Sequence, residues 1–524
     1  MKILIIAMAM CLAVFSKAQN TPPIVKINSA SVDEINKTVS ISYNLQDIEN
    51  DACSIWLKYS KDGGIFYDSV PSNLLSGAFG NGIAVGNNKL LVWNYATIGT
   101  PIYTTKIKLF ASDNKIVNIS DLVNQVDSNL LKTNLTYVAG VRHLATSPIF
   151  INKVRDSIEA NFKNNGLETE KQSFTYNTQT GINITGRKSG FFNESKTFII
   201  DAHYDGVANT PGADDNGSGV VGLLEAARIL SKYNFENSIK FIGFDFEESG
   251  LIGSLRYNQN GIKPYETING VLNFEMIGYY TNKANSQSTP AGFNLLFPET
   301  YNSLAADSFR GNFLVVCGNT NSNSLTNTFL NATNNYVPQL KALSVELPQN
   351  GQIAPDFRRS DHATFWDKNI KALMLTDGAD TRNKAYHTAG DSIGNLNFTF
   401  MSNIVKATIA TAATLAKPIS ACFAEFDISP LSNNELHHHQ FPAEVIIYPN
   451  PTNGILNLQI NASQKLQTQL SIFDLKGNEV FTQNLTIKKG NDVYNMKLND
   501  LTAGNYILLI KEGNNTLSKV LTIN

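Results

Sequence analysis

The chain has 524 residues, with 42 Lys and Arg against 44 Asp and Glu, a formal net charge of −2. That length exceeds one ordinary core and points to about two to four domains. The balanced charge leaves no basic footprint for nucleic acid and no polybasic membrane anchor. Beyond the N-terminus no stretch is long and apolar enough to be a transmembrane helix.

At the N-terminus Lys2 precedes an unbroken apolar run from Ile3 to Phe15, and Ser16-Lys17-Ala18 offers small residues at a cleavage spacing. The run is too short to span a membrane, so residues 1–18 are expected to be a secretory signal peptide. Of four cysteines, Cys11 would leave with it. Cys53, Cys317 and Cys422 are too scattered for a disulfide framework. Buried free thiols are the expectation, with one bridge left open.

From 19 to 118 the pattern is all-β. Val39, Ile41, Tyr43 and Leu45 alternate with polar residues, Ile55, Leu57 and Tyr59 repeat the period, and Lys61-Asp62-Gly63-Gly64 reads as a turn. Runs at Leu90–Trp93 and Ile107–Ala111 complete strands at sandwich spacing, so an immunoglobulin-like or fibronectin-type-III-like module is expected.

From 119 to 417 strands and helices alternate. Ile151, Val154, Ile158 and Phe162 share one helical face that Gly166 can end, and Val220–Leu230 is a second, more uniformly apolar helix. Thr197–Ala202, Ile239–Phe246, Val271–Phe274 and Ala372–Thr376 are apolar runs of strand length. The fold class expected is α/β, a central mixed sheet with helices on both faces, flanked by a β-sandwich at each end. Residues 418–443 read as a linker, and its His437-His438-His439 run as a solvated spacer rather than a metal site.

Residues 444–524 are again all-β, with Leu456, Leu458 and Ile460 alternating and strands expected at Leu470–Leu475 and Tyr506–Ile510 beside Gly477 and Gly504. The segments YPNPTNG (448–454), FDLKGNEV (473–480) and AGNYILLI (503–510) closely resemble the C-terminal sorting domain of type IX secretion substrates. The resemblance implies engagement of the type IX machinery, and a protein secreted or held at the outer-membrane surface.

Polar residues that suit zinc collect at the strand ends of the middle domain. His203 and Asp205 follow one strand and Asp215 lies in the turn DDNGSG; Glu247-Glu248 follow the next strand, Glu275 a third, and His387 comes after the last. That edge is where open α/β sheets hold ligands. Two imidazoles (His203, His387) and three carboxylates (Asp215, Glu248, Glu275) suffice for two Zn²⁺ ions if one carboxylate bridges, each ion keeping an open position. Adjacent carboxylates on extended chain point different ways, so one of Glu247 and Glu248 can bind metal while the other faces substrate.

The segments HYD (203–205), GADDNGSG (212–219), FEESGLIGS (246–254), NFEMIG (273–278), RSDHATF (359–365) and YHTAGDS (386–392) together resemble metallopeptidase family 28, the co-catalytic zinc exopeptidases. That resemblance implies a zinc-exopeptidase fold over 119–417, with His203 and Glu275 on one zinc, Glu248 and His387 on the other, and Asp215 bridging. It implies Glu247 as general base, Asp205 behind His203, Tyr386 as oxyanion stabiliser, and Arg359, Asp361 and His362 on the wall of the substrate pocket. Glu275 departs from the family's frequent Asp, which alters reach. The function expected is a secreted aminopeptidase acting on peptide substrates. A glutaminyl cyclase, a carboxypeptidase using Arg358 and Arg359, and a catalytically dead adhesin remain as alternatives.

Overall fold

The computed structural model describes residues 20–61, 64, 67–97, 105–428, 443–474, 478–498, 500–512 and 515–524. The expected leader at 1–18, Asp62 and Gly63 of the turn, the His437–His439 run and Gly477 lie outside the described residues.

Val39, Ile41, Tyr43 and Leu45 are buried along the strand Thr38–Gln46. That strand lies between Ile24–Asp33 and Gly86–Asn94 in a four-stranded sheet. A second sheet runs in the order Asn234–Phe235, Pro418–Asp427, Lys106–Ile116, Cys53–Ser60, Asp68–Ser69. Two of its strands therefore come from outside 19–118. The linker expected at 418–443 is corrected for its first ten residues, which form a strand. Lys106–Ile116 would otherwise be a bare edge, and a sheet edge recruits a partner. Trp56 stacks on Phe110 at 5.2 Å, and Phe191 and Phe423 pack on the same Phe110 ring at 5.2 and 5.5 Å. Cys53, Cys317 and Cys422 are free.

The middle domain is built on an eight-stranded sheet: β1 (Glu168–Tyr176), β2 (Gln179–Lys188), β3 (Asn193–His203), β4 (Asn237–Phe244), β5 (Thr267–Phe274), β6 (Leu314–Asn319), β7 (Ala342–Leu347) and β8 (Ala372–Thr376). Its order is β7-β6-β8-β5-β3-β4-β2-β1. The four central strands, β8, β5, β3 and β4, run parallel, whereas β1, β2 and β6 pair antiparallel with neighbours, so the sheet is mixed. Register places His203 opposite Phe244, Asp201 opposite Asn273, and Phe274 opposite Leu375. The C-terminal ends of the parallel strands thus share one edge.

Side chains alternate across the sheet, as strand geometry requires. Phe198, Ile200 and Ala202 pack into one core with α1 (Pro148–Asn164), α2 (Gly219–Leu230) and α3 (Phe398–Ala416). Ile199, Ile242 and Phe244 face a second core with Tyr257, Phe365 and Trp366. Both faces are covered, which is why β3 and β4 read as continuous apolar runs. α1 buries Ile151, Val154, Ile158 and Phe162. It stops where Gly166 turns left-handed (φ 70) and the Leu167 amide returns to the Phe162 carbonyl at 3.1 Å.

The C-terminal unit is a separate β-sandwich. Ala443–Tyr448, Ile455–Ala462 and Gly490–Lys497 form one sheet. Glu479–Ile487, Leu466–Phe473, Gly504–Glu512 and Asn515–Ile523 form the other. Leu456, Leu458, Ile460, Leu470, Leu508 and Ile510 fill the space between them.

Phe110 is 2% exposed at the junction of the N-terminal sandwich with Phe191 and Phe423. Replacing it with Ala is expected to cost about 3–5 kcal/mol. Chemical denaturation followed by circular dichroism checks this, and a midpoint unchanged from wild type would mean that this junction contributes little.

Candidate metal centre and active site

His203 ends β3, and beyond it the chain turns into a loop held from beneath by Arg142, which is fully buried. Its guanidinium donates to the carbonyls of Tyr204 (2.9 Å), Val138 (3.0 Å), Gly212 (2.7 Å) and Asp215 (3.0 Å). Gly212 is left-handed (φ 54), and a Cβ there would sit 2.3 Å from the Asp215 carbonyl oxygen and 2.7 Å from Arg142. The Asp215 peptide is pinned on its other side as well. Asp391 accepts from the amides of Asp214 (2.9 Å) and Asp215 (3.0 Å).

Asn216 ties this turn to the end of β5. Its Oδ1 accepts from Met276 N at 3.1 Å and its Nδ2 donates to the Phe274 carbonyl at 2.8 Å, straddling Glu275. Asp214 accepts from Gly278 N and from Asn383 Nδ2. Asp205 plays the same part for the next strand end, accepting from Glu247 N (3.0 Å) and Glu248 N (3.1 Å). Phe246, Met276 and His387 all have positive φ (56, 51 and 55) beside the acidic residues or within the cluster itself. Non-glycine residues pay strain there and persist only where surrounding contacts over-determine the backbone, as these hydrogen bonds do beside Phe246 and at Met276.

The side chains converge on Asp215. His203 Nε2 lies 3.6 Å from Asp215 Oδ1 and 3.3 Å from Glu275 Oε2, and Glu247 Oε2 is 3.9 Å away. His387 Nε2 lies 2.9 Å from Asp215 Oδ2 and 3.5 Å from Glu248 Oε2. Asp205 Oδ1 stands 3.5 Å from His203 Nδ1 on the far side of the ring, and Ser360 Oγ donates to Glu275 Oε2 at 2.6 Å. All five expected ligands, with Glu247 and Asp205, thus meet in one place.

The donor set fits a cation. Both ring nitrogens of His203 and Oε1 of Glu248 are buried with no hydrogen-bond partner, a costly state that a metal ion relieves. Ligand atoms of His203, Glu247 and Glu275 lie within 4.8 Å of one another, as do those of His203, Asp215 and Glu248. Burial, then the neighbouring Asp215 carboxylate, pushes the Glu248 carboxyl up to about 9. Burial likewise pushes the Glu247 carboxyl well up. At His203 burial opposes the charged form, but the carboxylates of Glu247 and Glu275 outweigh it and draw the imidazole's proton affinity upward.

Beside Glu275 opens a cavity of about 300 Å³ whose walls include Phe293, Phe313, Val315, Val345, Phe357 and Met374. Arg359 and Tyr386 also line it. Asp361 and His362, expected on that wall, are instead fully buried and do not line the cavity. The short helix His362–Trp366 turns them inward: His362 Nε2 meets the Phe357 carbonyl at 3.0 Å, and its ring meets Trp366 edge-on at 4.5 Å. Burial holds the His362 imidazole down at about 3, so it stays neutral. Burial also pushes the Asp361 carboxyl up, to about 7. Arg358 turns elsewhere, toward Asp367 Oδ2 at 2.8 Å. Sequence reasoning missed Arg142, Asp214 and Asn216 as supports, and Asp391 was visible only as part of YHTAGDS.

A family model described as Peptidase family M28 matches residues 183–412, and one described as Secretion system C-terminal sorting domain matches residues 446–524. An uncharacterized protein of Escherichia coli K12, YfbL, is 33% identical over 232 residues, 40% of this chain and 64% of its own length. A probable leucine aminopeptidase of Arthroderma otae is 26% identical over 345 residues, 60% of this chain and 80% of its own. The chain thus spans a little under two thirds of the first relative's length. Among solved structures, the LapA aminopeptidase of Legionella pneumophila superposes with a TM-score of 0.42 at 22% identity, covering 58% of this chain and 77% of that one.

The raised Glu248 carboxyl has a stability consequence. Its ordinary value is 4.5 and its value in the folded, cation-free protein about 9, so folding favours the protonated form. The Glu248 contribution to the stability of chelator-treated protein is fully present below pH 4.5 and is lost as pH rises toward 9. Thermal melts across that range with and without chelator are expected to diverge as pH rises, the metal-loaded protein melting higher; superimposable curves would show that no cation neutralises this cluster.

Proposed function

We propose that this chain, whose residues 183–412 match the model of peptidase family M28, is an exported zinc aminopeptidase that removes N-terminal residues from peptides. One observation carries the reading: the two carboxylate oxygens of Asp215 face different imidazoles, Oδ1 toward His203 and Oδ2 toward His387. His203 and Glu275 would hold one Zn²⁺ and Glu248 and His387 a second, with Asp215 shared. The chemistry such ions supply is polarisation of a peptide carbonyl and acidification of a water.

The chain's own groups do the rest. Glu247 faces the same cleft as His203 and is fixed through its amide by Asp205, so it can take the water's proton and return it to the leaving amine. Tyr386 lines the adjoining cavity with its ring stacked on His387, and its hydroxyl donates to the oxyanion that develops on the carbonyl. A free ammonium would be drawn to this acidic cluster, which favours cleavage next to the N-terminus. The apolar walls of the 300 Å³ cavity suit a large apolar N-terminal side chain. Because Arg358 is tied to Asp367 and Arg359 is paired with Asp380, neither is free to grip a substrate carboxylate, which counts against a carboxypeptidase.

The tail at 446–524 supports secretion by the type IX route to the cell surface or beyond. The expected leader at 1–18 would supply the first step, across the inner membrane.

Glu247→Gln is expected to retain metal, measured by elemental analysis, while kcat falls about 10²–10⁴-fold. Near-normal turnover would remove Glu247 from the role. Across aminoacyl nitroanilides, Leu and Phe are expected to exceed Lys and Glu by tenfold or more, as apolar burial dictates (about 1.4 kcal/mol per tenfold). N-acetylated substrates should be inert and chelation should abolish turnover. Cleavage of blocked peptides would overturn the aminopeptidase reading.

A further inference from the structure

We propose that Arg359 is a positioning residue for Tyr386, fixing the direction in which the phenol's single proton points; the inference rests on the aminopeptidase reading above. Arg359 Nη2 donates to Tyr386 Oη at 2.9 Å, and its Nη1 donates to Asp380 Oδ2 at 3.2 Å. The guanidinium carbon lies 5.7 Å from the centre of the Tyr386 ring. That ring is stacked on His387 at 3.7 Å with 22° between the planes, and His387 Nε2 is 2.9 Å from Asp215. A continuous chain of contacts therefore runs from Asp380, on the rim of the cavity, to the carboxylate shared by the two imidazoles.

The chemistry of the donors gives this chain its direction. A phenol oxygen carries one proton and accepts at its lone pairs, whereas a guanidinium only donates and is never deprotonated in a protein. At Tyr386 Oη, Arg359 must therefore fill an acceptor position. The like polarity of the two N–H and O–H groups turns the phenolic proton away from the guanidinium. Among the described residues no side chain or carbonyl accepts that proton, so it remains available to a substrate oxygen. Stacking on His387 fixes the ring plane, the Asp380 pair fixes Arg359, and Arg359 fixes the hydroxyl rotor. Such a preorganised donor needs no reorientation when charge develops on the substrate.

A lysine could donate one hydrogen bond from the same position but lacks the planar fork that spans Asp380 and Tyr386 together. Arg359 is thus assigned to the reaction through Tyr386, and not to substrate binding.

A double-mutant cycle tests this on the full-length, zinc-loaded protein, with Arg359→Met, Tyr386→Phe and both together. Leucine nitroanilide turnover is read alongside calorimetric binding of n-butylboronic acid, which takes up hydroxide to become tetrahedral. Arg359→Met is expected to lower kcat about tenfold, in line with one charge-assisted hydrogen bond, with KM within twofold and zinc content and melting temperature unchanged. In the Tyr386→Phe background the same change should have no further effect on kcat or on boronate affinity, and Arg359→Lys should recover part of the loss. Equal losses in both backgrounds, or a loss expressed mainly in KM, would overturn the proposal and make Arg359 a substrate contact. A Tyr386→Phe variant with full activity would likewise overturn it, whereas an inert wild-type enzyme would instead strike at the aminopeptidase reading itself.

Discussion

The constraint on which the structure depends is the confinement of acidic groups with two imidazoles at one edge of a sheet. Asp215, Glu247, Glu248 and Glu275 all approach His203 or His387 to within 4 Å, and most of that surface is out of water. Burial alone disfavours the carboxylates, and their mutual repulsion adds to it. Such a cluster is stable as charged groups only if cations enter it. Much of the polar structure nearby serves to hold this arrangement in place. Arg142 brings a buried positive charge beneath the Asp215 turn, Asp391 and Asn216 fix its peptides, and Asp205 fixes the peptides of Glu247 and Glu248.

The sheet explains how that confinement is reached. Parallel central strands end together, so residues that follow β3, β4 and β5 leave the sheet at the same edge without long excursions. The apolar strands lie between two hydrophobic cores and provide a rigid base. The strained positions, Phe246, Met276 and His387, lie where the chain must change direction abruptly to aim an acidic group or an imidazole. Functional groups held on rigid elements by a hydrogen-bonded outer layer keep their geometry better than groups on free loops.

The N-terminal sandwich is joined to the middle domain covalently at one end and by strand pairing at the other. Pro418–Asp427 leaves α3 and completes the sandwich's second sheet beside Lys106–Ile116. The aromatic group around Phe110 then buries the seam. This leaves the sandwich edge covered, which limits unwanted strand pairing.

The amino-acid order alone determined the local elements and the chemical inventory. The alternation at Val39–Leu45, the helical face of Ile151–Phe162, the apolar runs ending at His203 and Phe274, and the acidic and imidazole residues following them are properties of short stretches, and short-range periodicity encodes them directly. The tail was legible for the same reason. Long-range placement was decided only by the tertiary structure. Pro418–Asp427 has no sign in its own composition that its partner lies about 300 residues earlier. Asp361 and His362 look like a site wall beside Arg359, yet a short helix rotates them into the core while Arg359 faces the cavity. Arg142 is a lone arginine in the sequence and becomes the anchor of the Asp215 turn only once the backbone at Val138, at Tyr204 and along Pro211–Asp215 closes around it. Contacts of this kind depend on which distant groups the fold brings within 3 Å, and no local pattern carries that information.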